Sequence, residues 1–267
     1  MCTGIFLFEP RPVLALNFDY DRTFRLTLEN DAAFCMRIRY GDRYGLPLGV
    51  NRNGHSANIQ IAPFIKQAAY DPEAENRTYI HHIVRDMLGD RLDAGMVPDY
   101  LKEHTLTYTE ENVGAHCLCA DKSGSVCIVE PGSGVLTNRD FPDGFAVLTN
   151  FILAKHTPIS SDMETIRCKR YRTAYRMLLE DRSGVDRLMD ILEAVRRNTE
   201  KMPTIFSMVA ELDTGKIWFT LDGDFSKRFY FSFSSRSIFT DSVCGSSRRV
   251  YLDQNGISAE TLRKLVQ

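Results

Sequence analysis

A chain of 267 residues with 33 basic and 35 acidic side chains, a formal net charge of -2 and 43% hydrophobic content has the make-up of an ordinary globular protein. No long block of one charge sign appears, which excludes a nucleic-acid footprint and a polybasic membrane patch, and no apolar run reaches the roughly 18 residues of a spanning helix. Seven cysteines, an odd number scattered along a chain of this size, exclude a small disulfide framework and point to a reducing, cytoplasmic setting, as does a start without a basic segment and long apolar core.

In chain order, the first 60 residues read as strands: TGIFLF, VLALNFD, TFRLTLE and FCMRIRYG, separated by polar or Pro-containing turns. The run LPLGVNRNGHSANIQIAP then turns at Asn53-Gly54 into a weakly alternating strand. From Glu73 the period changes. Ile80, Ile83, Val84, Met87 and Leu88 fall at helical spacing, the pattern breaks near Gly89 or Gly95, and a short helix follows Pro98. AHCLCAD, SVCIVEP and GFAVLTNF are three further strands, with EPGSG read as a turn. Helices are predicted over about 163–180 and 183–198, then a hairpin in TIFSMVAELDTGKIWFTLD turning at Asp213–Gly215, then the strand RFYFSF. Strands and helices come in groups rather than in βαβ alternation, and no linker or repeat interrupts them. That predicts packed sheets with helices outside, as a single domain over 1–267.

Each motif has a plain structural reading beside the functional one. His116, Cys117 and Cys119 form HCLC, but no partner cluster lies at zinc-site spacing, so these are read as buried strand cysteines and no metal is expected. His81 and His82 are adjacent in a helix and diverge. No phosphate-binding glycine pattern is present and no cofactor is implied. RCKRYRTAYR is a basic helix face. Asn17 and Asp19 share one face of their strand, and Asn150 ends another; each either closes a turn or serves a catalytic amine or oxyanion. Cys2 is either an ordinary strand residue or, once Met1 is removed, a thiol carrying its own α-amine.

The ordered set Met1-Cys2-Thr3-Gly4, Asn17-Phe18-Asp19, Gly49-Val50-Asn51 with Asn53-Gly54, Leu148-Thr149-Asn150 and Lys169-Arg170-Tyr171 resembles the choloylglycine hydrolase and penicillin V acylase group of N-terminal nucleophile (Ntn) hydrolases. The resemblance runs from residue 2 to about 235 as scattered matches. It implies an α+β fold, a four-layer αββα sandwich with two stacked antiparallel sheets between helix layers. It implies an amidase that cleaves the linear C–N bond of a small N-acyl substrate through a cysteine thioester. An acyltransferase with an amine acceptor, or an inactive binding protein on the same fold, are the alternatives. The catalytic residues it implies are Cys2, Asp19, Asn150 and Arg170, with Asn17, Gln60 and Asn58 as weaker matches for substrate or oxyanion support. Where the family carries an arginine before the Asn-x-Asp stretch, this chain has Leu16. The segment 62–112 is expected to shape the pocket entrance, homo-oligomers occur in the family, and neither nucleic acid nor membrane insertion is expected. Bile acid conjugates, penicillin V, N-acyl homoserine lactones and peptidoglycan-like amides all stay open as substrates.

Overall fold

The computed structural model describes residues 2–62, 75–107, 114–156, 168–240 and 247–266. Its first elements are β1 (Thr3–Leu7), β2 (Val13–Asp19), β3 (Phe24–Glu29), β4 (Ala33–Tyr40), β5 (Arg43–Asn51) and β6 (His55–Ile61). A short β7 (Arg77–Thr78), α1 (Ile80–Leu88), α2 (Val97–Glu103) and β8 (Thr105–Leu106) follow. Next come β9 (Ala115–Asp121), β10 (Val126–Glu130), β11 (Gly134–Thr137), β12 (Phe145–Thr149), α3 (Lys169–Glu180) and α4 (Gly184–Ala194). The chain continues through β13 (Thr204–Glu211), β14 (Lys216–Leu221), β15 (Arg228–Ser232), β16 (Ser237–Thr240), β17 (Arg249–Tyr251), β18 (Ile257–Ser258) and α5 (Ala259–Leu265).

Two eight-stranded antiparallel sheets result. The first runs β12-β1-β2-β13-β14-β15-β16-β17 and the second β11-β10-β9-β6-β5-β4-β3-β18. Helix α1 lies on the outside of the second sheet against β5, β6 and β9, and α3 and α4 lie outside the first against β12, β2 and β13. This is a four-layer αββα sandwich. Sheets covered on both faces need apolar residues at nearly every position, which is why TGIFL, VLALNFD and TIFSMVAE lack a clean alternation. Aromatic rings join the layers: Phe34 of the second sheet meets Phe219 and Phe231 of the first, with centroids 5.9 and 4.8 Å apart, and Phe24 meets Phe206 at 5.7 Å. Each such pair adds about 1 kcal/mol beyond its burial.

Helix α1 forms where the apolar spacing places it, and Ile80, Ile83, Val84, Met87 and Leu88 are all buried. Its last carbonyls are bound from the sheet. The Asn51 amide donates to Leu88 O at 3.3 Å and to Asp90 at 2.6 Å, while its Oδ1 accepts the N–H groups of Asn53 and His55. One side chain thus ties the Asn53-Gly54 turn to the helix end. Cys117 and Cys119 share a face with their sulfurs 3.5 Å apart, both buried.

Some elements depart from expectation. EPGSG is a turn, as expected, but the strand β11 that follows it was not: Gly132 and Gly134 take positive φ and turn the chain back onto β10. Helix α4 ends at Ala194, short of 198; beyond it the Arg197 N–H binds Thr204 Oγ1 instead of a helical carbonyl. Pro98 is the second residue of α2, where no N–H is required, rather than lying before the helix. The expected helical residues 163–167 lie outside the described residues, as do 63–74 and 108–112 of the expected entrance segment. Among the described residues no helix is long and apolar enough to cross a membrane.

Gly54 has φ +82°, and a Cβ there would sit 2.4 Å from the carbonyl oxygen of Leu212, in the β13–β14 turn of the other sheet. Gly54→Ala should therefore lower stability by about 1–3 kcal/mol, read from the urea midpoint. An unchanged midpoint would show that the two turns do not meet this closely.

Candidate active site

The site is assembled at one end of three adjacent strands. β1 pairs with β2 on one side and β12 on the other, and register sets Thr3 opposite both Asn17 and Thr149. Cys2, Asp19 and Asn150 each lie at or just beyond that end of the sheet. β13 extends the group, with Thr204 opposite Asp19.

Arg170, in the first turn of α3, reaches down onto this end. Its Nη1 donates to the Cys2 carbonyl at 3.2 Å, to Thr3 Oγ1 at 3.2 Å and to Asp19 Oδ2 at 3.0 Å, and Nη2 donates to Asn150 Oδ1 at 2.9 Å. A planar guanidinium can serve several acceptors at fixed angles, which a lysine ammonium cannot. The helix carrying it is fixed by packing. Tyr171, Ala174, Tyr175 and Leu178 are buried, Tyr175 stacks edge-on against Phe145 of β12, and its hydroxyl donates to Asp143.

Asp19 is fully buried, accepting from Thr204 Oγ1 at 2.6 Å besides Arg170. Burial pushes its carboxyl up from the ordinary value, and the Thr204 hydrogen bond and the Arg170 charge pull it back down. Cys2 is buried too. Desolvation pushes its thiol up to about 11, reinforced by the Asp19 charge, while the Asp19 backbone amide and the Arg170 charge oppose that rise. An unassisted thiol here stays protonated at neutral pH, so thiolate chemistry requires a base placed at the sulfur.

Asn150 offers its amide to the Ile61 carbonyl, on β6 of the second sheet. Cys168, at the N-terminus of α3, places its sulfur 3.2 Å from the Thr149 hydroxyl. Asn17 does not join the group. It is fully buried beneath α4, donating to Leu192 O at 2.7 Å and accepting from Ser207 at 2.7 Å, so it anchors a helix to the sheet. Asn58 and Gln60 are on β6, buried across from Gly4, where Gln60 Nε2 is 2.7 Å from the position a Cβ would take. They hydrogen bond one another at 3.4 Å, which leaves Asn58 Nδ2 and Gln60 Oε1 without a protein partner. The match around NIQI slides between these two and Ile61; it is the Ile61 carbonyl that touches Asn150. Leu16, opposite Gly4 in β2, is fully buried and brings no charge. Thr3 and Thr204 were not foreseen. Threonine is among the residue types enriched in strands, and only the pairing of β13 with β2 reveals that Thr204 faces Asp19.

No family model matches the chain, and no curated protein matches it. Solved structures do. A C2A mutant of conjugated bile acid hydrolase from Clostridium perfringens is 14% identical over 95% of this chain and 98% of its own, with a TM-score of 0.63. Penicillin V acylase from Agrobacterium tumefaciens is 13% identical over 92% of each chain, with a TM-score of 0.64. The N-acylethanolamine-hydrolyzing acid amidase ortholog from Caenorhabditis elegans is 18% identical over 79% of this chain and 93% of its own, with a TM-score of 0.51. The fold is that of the Ntn hydrolases.

Arg170→Met removes the charge facing a fully buried carboxylate, so stability at neutral pH should fall by about 2 kcal/mol. Without Arg170 the Asp19 carboxyl rises further. The loss is then fully present above that raised value and shrinks as the pH falls through it and Asp19 takes up a proton. Urea midpoints of both proteins between neutral and acid pH measure this, and a pH-independent difference would mean the pair is electrostatically silent.

Proposed function

We propose that this chain is an N-terminal nucleophile cysteine amidase, hydrolysing the linear C–N amide bond of a small N-acyl substrate. The observation that carries the reading is the meeting of Cys2, Asp19, Asn150 and Arg170 at one end of the β12-β1-β2 ribbon, on a fold shared with two enzymes named for cleaving such bonds. The third, named for N-acylethanolamine hydrolysis, acts on the same bond type.

In this reading Met1 is removed and the α-amine of Cys2 becomes the base. The amine takes the thiol proton, directly or through a water, and the sulfur attacks the amide carbonyl carbon. A C–S bond forms as the carbonyl π electrons move onto oxygen. The Asn150 amide hydrogen not given to Ile61, with backbone N–H groups, holds that oxyanion; Arg170 fixes the Asn150 oxygen, so the amide keeps one orientation. Collapse of the tetrahedral species breaks the C–N bond, and the ammonium returns the proton to the departing amine. Water then cleaves the thioester, the amine again accepting and returning a proton, and the free thiol is restored.

Asp19, itself held by Thr204 and Arg170, would favour the ammonium form of the amine and orient it. With Leu16 in place of the family arginine, the positive charges that favour the thiolate are the chain's own N-terminal ammonium and, more weakly, Arg170.

Two measurements test the reading. Intact mass and N-terminal sequencing of the purified protein should show loss of methionine, and brief iodoacetamide treatment should label the new first residue before the other cysteines. In the protein retaining Met1, alkylation of Cys2 should be slow near neutral pH and climb about tenfold per pH unit toward about 11, because only burial and fixed charges then set the thiol. Hydrolysis of a panel of N-acyl amides should be lost in Cys2→Ala. Retention of Met1 with Cys2 labelling no faster than its neighbours, or hydrolysis that survives Cys2→Ala, would overturn the proposal.

A further inference from the structure

Glu130, at the end of β10, is a fully buried carboxylate that the reaction above does not use. Its two oxygens accept the backbone N–H groups of Leu153 at 2.9 Å and Ala154 at 2.7 Å, the first residues of the short 3-10 turn Leu153–His156 that follows Asn150. His116 Nδ1, also fully buried, lies 3.1 Å from Glu130 Oε1. Because the Glu130 oxygens act as acceptors toward Leu153 and Ala154, His116 faces them as an Nδ1–H donor, with its Nε2 on the far side of the ring. That nitrogen has no protein partner, and Gln60, directly opposite His116 across the β6–β9 pair, has an Oε1 without one.

Asn150 belongs to the end of an edge strand of the first sheet; besides the Arg170 bond from α3, two attachments come from the second sheet. Its side chain is taken by the Ile61 carbonyl of β6, and its backbone is held three residues on by the Glu130 carboxylate of β10. The neighbour of those strands, β9, supplies the His116 brace. A buried charge is costly to desolvate, and here it is spent on two backbone N–H groups of one turn.

We propose that Glu130, braced by His116, is a positioning residue that sets the Asn150 turn for the reaction; this rests on the amidase reading for its kinetic consequence. Glu130→Gln keeps the shape but turns an NH2 group toward one of the two N–H donors, so one attachment is lost. In that variant kcat should fall about tenfold to a hundredfold, as a displacement near 1 Å would cause, with KM within about twofold of wild type. The rate at which iodoacetamide labels Cys2 should stay unchanged, since neither residue touches the sulfur. His116→Leu should act in the same direction, and His116→Gln, which can still donate to Glu130, should restore most of the rate. The side-chain amide signal of Asn150 in 15N–1H spectra, assigned with Asn150→Asp, should shift in Glu130→Gln and stay in place in His116→Gln.

Wild-type kcat in folded Glu130→Gln, a rise in KM with kcat retained, or equal losses in His116→Leu and His116→Gln would each overturn the proposal. If Glu130→Gln does not fold, the two His116 variants decide by the same criteria. If the wild-type protein hydrolyses no N-acyl amide, the amidase reading fails by itself. The Asn150 amide signal then decides positioning: a shift in Glu130→Gln supports it and an unmoved signal overturns it.

Discussion

One guanidinium organises this end of the molecule. Arg170 bonds the carbonyl of Cys2, the hydroxyl of Thr3, the carboxylate of Asp19 and the amide oxygen of Asn150, four groups that arrive from three strands. Without this cation, the buried Asp19 carboxylate would lose its salt bridge in a dry interior, and the Asn150 amide would keep only its bond to Ile61 of the second sheet. Its effect on the sulfur is smaller than that of burial, which keeps the thiol protonated near neutrality. The arrangement therefore orients Cys2 more than it ionises its thiol, and ionisation would need a base placed beside the sulfur.

Rigidity around that cation comes from packing rather than from further charge. Helix α3 is seated by Tyr171 and Tyr175, stacked at 5.7 Å, and by the contact of Tyr175 with Phe145 on the strand that leads to Asn150. Asp19 is held from its other side by Thr204, and Asn17, one residue pair back along β2, fastens α4 to the same sheet. The second sheet contributes through Ile61 and Glu130. Groups fixed in this way meet a developing charge without having to reorganise, which is where electrostatic stabilisation in a dry site gains its size.

Much of this was legible in the chain because the elements are strongly patterned. The helix spacing of Ile80 to Leu88, the Asn53-Gly54 turn and the grouping of strands and helices led to packed sheets with helices outside, and the family resemblance implied the αββα layers. The order of short motifs led to Cys2, Asp19, Asn150 and Arg170. Asn17 was grouped with Asp19 because residues two apart share a strand face. Both do face the helices, but Asp19 sits at the open end under Arg170 while Asn17 lies one step inside, under α4, where its amide is consumed by Leu192 and Ser207. Spacing gives the face and not the depth. Thr204 and Glu130 carried no local signal at all, since their partners are 185 and 23–24 residues away and meet them only through strand order. β11 was hidden because its Gly-Ser-Gly approach has the composition of a turn and a strand of four residues offers too little pattern to outweigh it.

The central claim is that the carbonyl of an amide is transferred to the sulfur of Cys2. The most direct measurement is to mix the protein with an N-acyl amide that it turns over, quench in acid within the first turnovers, and map the mass of the N-terminal peptide. The account predicts a peptide beginning at Cys2 and heavier by the acyl group, with the added mass released by hydroxylamine as a thioester. Turnover with no acyl mass on that peptide in single-turnover quenching, or an acyl group found on another residue, would contradict it.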